Sequence, residues 1–426
     1  MCRLPSACVS MHEEDPNPTP PTHSTPMRLA GMAQGLTGEG TRALHTALAR
    51  HVERGDMPGL VALVSCGNDV HVETIGHKAF GDLVPIERGA IFRIASITKP
   101  IAGVAAMLLV EGGLMSLGDA VDRWLPELAS PRVLRTLESE LDDTVPATRP
   151  ITVEDVLSFR LGWGSVMAPP DTYPIQRVEA ELDLNTFGPP WPPSDLTPDD
   201  WIAGLGSLPL LDQPGANWRY AGGAQVAGVL IERVAGAPIA DVLRERVFAP
   251  LGMDDTGFYV PADKQSRFTT QYEPGDSPGE LHVLDRPDGW WSAPPRMPDA
   301  NGWLVSTVDD LWAFASMMAA DGGDLLSPES VRLMATDRMT AAERAENWMF
   351  VGDHSGWGLM MAVPAGDGST GIPGGFGWDG GTGTSWRTDP AVGLTGILLT
   401  QRAVTSPEPT DVASDFWTAA YAAVAR

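Results

Sequence analysis

In the stretch "ASITKP", residues 95–100, Ser96 stands three residues before Lys99. On a helix that spacing is nearly one turn, so both side chains leave the same face. A serine at a helix start feels the positive end of the dipole, which favours a developing alkoxide. A lysine within reach accepts the hydroxyl proton if burial or a neighbouring positive charge depresses its own pKa. Serine is also a common N-cap, so Ser96 alone is equally explained as a helix start. Lys99 is what helix formation does not explain, because a cation in the first turn opposes the dipole.

Two other stretches could supply partners. "PGANWRYAGG" places Tyr220 in a glycine-rich loop just before an amphipathic helix. A phenol there can relay a proton once a cationic neighbour lowers its pKa, or it can simply pack into a core. "GFGWDGGTGTSW", residues 375–386, is a glycine-rich run entering a strand. Glycines let the backbone approach a ligand and turn N–H groups toward it, which with the Ser96 N–H could hold an oxyanion. A tight turn or bulge would use the same glycines.

The elements that must position these residues follow from periodicity. "GTRALHTALARHVER", 40–54, reads as an amphipathic helix with Leu44, Leu48 and Val52 four apart. "GLVALVSCG" and "DVHVETIGHKAFG" read as paired strands turning at Gly67-Asn68-Asp69. After "IFRIASITKP" the residues Ile101, Val104, Ala105, Leu108 and Leu109 predict a helix with one apolar face, opening at Ser96 and stopping at Gly112-Gly113. Residues 115–300 carry helical segments such as "TVEDVLSFRLG", "AQVAGVLIERVAG" and "PIADVLRERVFAPLG". Strands return in "GTSWRTDP" and "GLTGILLTQR", joined through Asp389-Pro390 and Gly393, before a final helix "DVASDFWTAAYAAVAR". The order predicts an α/β fold: residues 38–114 plus 300–426 form one α/β unit, with a mostly helical block, 115–299, inserted.

The formal charge of −26 argues against a nucleic-acid or anionic-membrane partner. Cys2 and Cys8 lie in a Pro- and Thr-rich leader and Cys66 stands alone, so no disulfide framework is implied. The scattered histidines show no paired ligand spacing, so no metal is expected. Residues 1–37 read as a disordered tail. No apolar run of signal-peptide length follows Arg3, and no stretch approaches a membrane span, so a cytoplasmic protein is expected. It could be a monomer or a homo-oligomer.

Six stretches in order resemble the serine β-lactamase and penicillin-binding-protein superfamily, closest to the family VIII carboxylesterases near class C β-lactamases. They are "IFRIASITKPIAGVAAMLLVEGGLMSLGDAVDRWLPEL", "ITVEDVLSFRLGW", "QPGANWRYAGGAQVAGVLIERVAG", "FAPLGMDDTGF", "GWLVSTVDDLWAFASMM" and "GWDGGTGTSWRTDP". The resemblance covers roughly residues 40–420. It implies a β-lactamase/transpeptidase-like fold, an antiparallel sheet flanked by helices, with the active site in the cleft beside the inserted helical block. It implies Ser96 as the acylated nucleophile, Lys99 as its base and Tyr220 as the residue that shuttles protons to the leaving group and to water. The N–H groups of Ser96 and Gly381 would hold the oxyanion. Lys99 and Tyr220 would act as a coupled pair, and which takes the first proton stays open.

Two positions depart from the lactamase pattern. Gly222 stands where those enzymes carry an asparagine that binds the substrate's amide. Trp378-Asp379-Gly380 replaces Lys-Thr-Gly, so an apolar face and an acid stand where a lysine would meet a carboxylate. The site should therefore prefer neutral esters over β-lactams, and the esterase-like branch also carries tryptophan there. No GxSxG occurs, which disfavours an α/β-hydrolase. Trp163, Trp191, Trp218, Trp290, Trp291 and Trp378 are placed near the cleft, as packing or as an acyl-pocket lining. The expectation is a serine hydrolase of carboxylic esters acting on a small-molecule ester or acyl substrate, with no metal or organic cofactor. An acyltransferase using the same acyl-enzyme is the runner-up. A β-lactamase or peptidase ranks lower, and a non-catalytic binding protein on the same fold lower still.

Overall fold

The apolar runs "GLVALVSC" and "LTGILLT", more than three hundred residues apart, pair as neighbouring strands at the centre of the molecule. This is a computed structural model that describes residues 35–184, 193–277, 279–352, 355–365, 375–406 and 410–425. Its principal elements are α1 (Gly38–Glu53), β1 (Gly59–Cys66), β2 (Asp69–Gly76), α2 (Thr98–Glu111), α3 (Gly222–Ala235), α4 (Val308–Ala319), β3 (Ser355–Trp357), β4 (Ala362–Pro364), β5 (Phe376–Gly380), β6 (Thr384–Asp389), β7 (Leu394–Thr400) and α5 (Asp411–Ala423). The seven strands form one antiparallel sheet in the order β2-β1-β7-β6-β5-β4-β3. The fold is that of the expectation, an antiparallel sheet flanked by helices.

Both faces of the sheet are covered, which explains why β1 and β7 are buried almost throughout instead of alternating. Leu60, Ala62, Val64, Leu394 and Leu398 pack under α1 and α5, against Leu44, Leu48, Phe416 and Ala420. The intervening Val61, Leu63, Ile397 and Leu399 face the other way, into the core shared with α2, α3 and α4. Gly67, at φ +60°, supplies the positive φ that the two-residue β1–β2 turn needs.

The segment around Ser96 differs from its sequence reading in two ways. The α-helix does not open at Ser96: Ala95–Ile97 form a 3₁₀ turn, and α2 begins at Thr98. Nor does α2 show one apolar face, since every residue from Thr98 to Met107 is buried. It runs through the core between α3 and the 334–360 region, and a Cβ on Gly103 would lie 2.8 Å from that of Met360. A helix enclosed on all sides needs apolar or neutral side chains all round, and that is the setting in which Lys99 is placed.

The block 115–299 holds, besides the expected helical segments, two small hairpins, Arg132–Leu134 with Thr144–Pro146 and Gln271–Pro274 with Leu281–Asp285. The tail expected over 1–37 lies outside the described residues up to position 34. Residues 35–37 join the fold: Leu36 bridges to Val424 and Thr37 caps α1. Among the described residues no helix is long and apolar enough to cross a membrane.

Candidate active site

Three elements bring three side chains to one point. The 3₁₀ turn presents Ser96, the first turn of α2 presents Lys99, and the loop entering α3 presents Tyr220. Lys99 Nζ lies 2.7 Å from Ser96 Oγ, and the Tyr220 hydroxyl donates to the same oxygen at 3.0 Å. Lys99 also donates to the Asn301 carbonyl at 2.6 Å and sits 4.6 Å from the centre of the Tyr220 ring. All three side chains are buried.

The backbone around them is strained. Ala95 has φ +42° and Ala221 has φ +69°, each next to a member of the trio. Non-glycine residues held there cost free energy and persist only where surrounding contacts impose them. Those contacts come from the β5–β6 turn and the strand before α4. Thr382 and Thr384 donate their hydroxyls to the carbonyls of Arg93 and Ile94, at 2.6 and 3.1 Å. Phe92–Arg93 pairs with Val305–Ser306, and the Thr98 hydroxyl accepts from the Leu304 N–H. None of these threonines stands out in the sequence, because a clamp made of single hydroxyls on distant carbonyls leaves no local pattern.

The glycines of 375–386 divide into two kinds. A Cβ on Gly380 would lie 2.4 Å from the Ile94 carbonyl oxygen, so glycine lets β5 press against the turn that presents Ser96. At Gly381 the side-chain direction is open. Gly222 is different again: a Cβ there would stand 2.7 Å from the Trp163 ring. The space that an asparagine would need is filled by tryptophan.

Trp378 does more than present an apolar face. Its indole N–H donates to the Tyr220 hydroxyl at 2.9 Å, which leaves the phenolic proton for Ser96. Asp379 points to the opposite face of β5, where it pairs with Arg387 and Ser385, and its charge still adds to the upward shift of the Tyr220 phenol. Tyr220 is enclosed by aromatics: Phe350 stacks on it at 4.5 Å, and Phe159, Trp218, Trp357 and Trp378 surround it at 5.7–6.2 Å. Of the tryptophans singled out by sequence, Trp218 and Trp378 join this cluster. Trp163 donates to Glu179 behind Gly222, Trp291 stacks on Trp303, Trp290 is half-buried, and Trp191 lies outside the described residues. Phe350 and Trp357 lie in stretches that carry no motif, and Phe159 lies in one whose resemblance gives that ring no role.

Electrostatically the two partners of Ser96 diverge. Burial moves Lys99 well below the usual lysine range, with the charge of Asp299 opposing that shift. Burial pushes the Tyr220 phenol up to about 12, more than its hydrogen bonds with Ser96 and Trp378 bring it down. Tyr220 is therefore a neutral proton donor near pH 7. Lys99 is the group able to exist as a free amine.

A family model described as Beta-lactamase matches residues 44–416. The chain belongs to the beta-lactamase family. Within it, the chain is 38% identical over 348 residues to the protein Rv1367c of Mycobacterium tuberculosis, covering 78% of this chain and 82% of that one. It is 31% identical over 342 residues to esterase EstB of Burkholderia gladioli, covering 75% and 79%. Among solved structures, that of EstCE1, described as a hydrolase with promiscuous acyltransferase activity, superposes with a TM-score of 0.72 at 23% identity, covering 89% and 98%. This beta-lactamase-family chain is an enzyme of the serine hydrolase type.

Proposed function

We propose that this family member hydrolyses carboxylic esters of small molecules through an acyl-enzyme on Ser96, in a cleft between residues 38–114 plus 300–426 and the block 115–299. The observation that carries the reading is the convergence of Lys99 Nζ and the Tyr220 hydroxyl on Ser96 Oγ, with an indole N–H where a lysine would select anionic substrates. Lys99, as the free amine, takes the Ser96 proton, and Oγ attacks the ester carbonyl carbon. The carbonyl electron pair moves onto oxygen, held by the N–H groups of Ser96 and Gly381. Collapse expels the alcohol oxygen, which takes a proton returned through Lys99 and Tyr220. Water then repeats the sequence on the acyl carbon and frees the carboxylic acid and Ser96.

Similarity to EstB supports an ester as the substrate, and the filled space at Gly222 and the neutral Trp378 weigh against a β-lactam. The EstCE1 description favours, second, transfer of the acyl group to an alcohol or amine. A short-chain nitrophenyl ester tests the reading. Turnover is expected with a burst of nitrophenol, and Ser96→Ala is expected to abolish it. Full activity in Ser96→Ala would sink the mechanism. Product analysis with an added alcohol separates hydrolysis from transfer.

A further inference from the structure

The Asn301 carbonyl that holds Lys99 belongs to a tight turn closed by Asp299. Asp299 Oδ1 accepts from the Asn301 N–H at 2.7 Å, and its carbonyl accepts from Gly302 and Trp303 at 3.3 and 3.1 Å. The Asp299 carboxyl group is buried, and its Oδ2 makes no hydrogen bond of good geometry. The Gln225 amide of α3 interacts with the same group. A carboxylate so placed is costly unless another charge offsets it. Lys99 is that charge: each group favours the ionised form of the other, against the burial that drives both toward neutrality. The other titratable groups facing them are Tyr220, over whose ring Lys99 lies, and Asp379, which acts on Tyr220 and is tied to Arg387.

We propose that Asp299 is a positioning residue for Lys99: its carboxyl group shapes the turn whose carbonyl holds the amine, and its negative charge keeps the buried amine basic enough to take the Ser96 proton. This rests on the reading of Lys99 as the base. An amine desolvated without a counter-charge would be a free base over a wider pH range but a weaker one.

The test is the pH dependence of kcat/KM for Asp299→Asn, which keeps an oxygen for the Asn301 N–H and removes the charge. Activity rises with pH as Lys99 loses its proton, and the Asp299 charge opposes that loss. Removing it is expected to move the acid limb down by about 1 pH unit and to lower the plateau. Gln225→Leu, which makes Asp299 harder to ionise, is expected to move the limb in the same direction by less. A limb that stays in place or moves up in Asp299→Asn overturns the proposal. Should that variant not fold, an unmoved limb in Gln225→Leu does so. Lys99→Ala is measured alongside. Retained activity there would sink the base reading itself, whereas an inactive Lys99→Ala with an unmoved limb sinks only the role of Asp299.

Discussion

Arg93 and Lys99 lie six residues apart, on either side of Ser96, and both are cations with almost no exposed surface. Their surroundings differ in one respect. Arg93 forks onto the Asp285 carboxylate through Nε and Nη2, donates to the Thr269 carbonyl at 2.8 Å, and lies between Phe268 and Trp291. Lys99 meets a hydroxyl, a carbonyl and an aromatic ring, and among the described residues makes no direct ion pair. Burial lowers the pKa of both. A contacting carboxylate limits the fall for Arg93, to about 10, so it stays charged at neutral pH and ties the 268–291 loop to the segment before Ser96. Without that contact, the lysine can give up its proton. Burial alone therefore makes no base: what decides is whether a counter-charge touches the cation.

The largest test of that contrast is Lys99→Ala. It is expected to lower kcat/KM toward nitrophenyl esters roughly 10³-fold or more, while denaturant unfolding registers the shortened buried chain and the loss of the charge that offsets Asp299. For Arg93→Ala the main loss is expected in stability. Asp285 would be left buried and unpaired, at a cost of about 3–5 kcal/mol in unfolding free energy, whereas Arg93→Met with Asp285→Leu recovers most of the loss. A Lys99→Ala that keeps its activity, or an Arg93→Ala as stable as the parent, would break the contrast. Smaller is the effect of Trp378→Phe, which keeps the ring but removes the donor to Tyr220. About one hydrogen bond is lost, so kcat should fall roughly tenfold, read by steady-state kinetics. An unchanged kcat would mean that the indole N–H does not orient the phenol.

Much of the fold was legible because its elements are local. The β1–β2 hairpin announced itself through an apolar run, Gly67 and a second strand, and the helices α1, α3 and α5 through their spacing. Ser96, Lys99 and Tyr220 were legible because a short spacing and ordered motifs mark them. The clamp by Thr382 and Thr384, and the stacking of Phe350 on Tyr220, were not, since each joins residues far apart in the chain with no repeat to betray it. The Trp378 side chain was read as apolar, which is correct for its ring. Its N–H found a partner only once β5 lay beside the loop entering α3.

Sequence by itself determined the inventory: a serine and an amine nearly one turn apart, a phenol before a later helix, and a tryptophan and glycines at positions 378, 380 and 222. Those are matters of residue type and short spacing, which the chain carries directly. Only the tertiary structure decided their protonation states, because desolvation and distant charges are set by what packs around a group. The enclosure of α2 brings Lys99 toward the free amine, the aromatic cluster keeps Tyr220 a phenol, and the Asp299 turn sets how far the lysine goes.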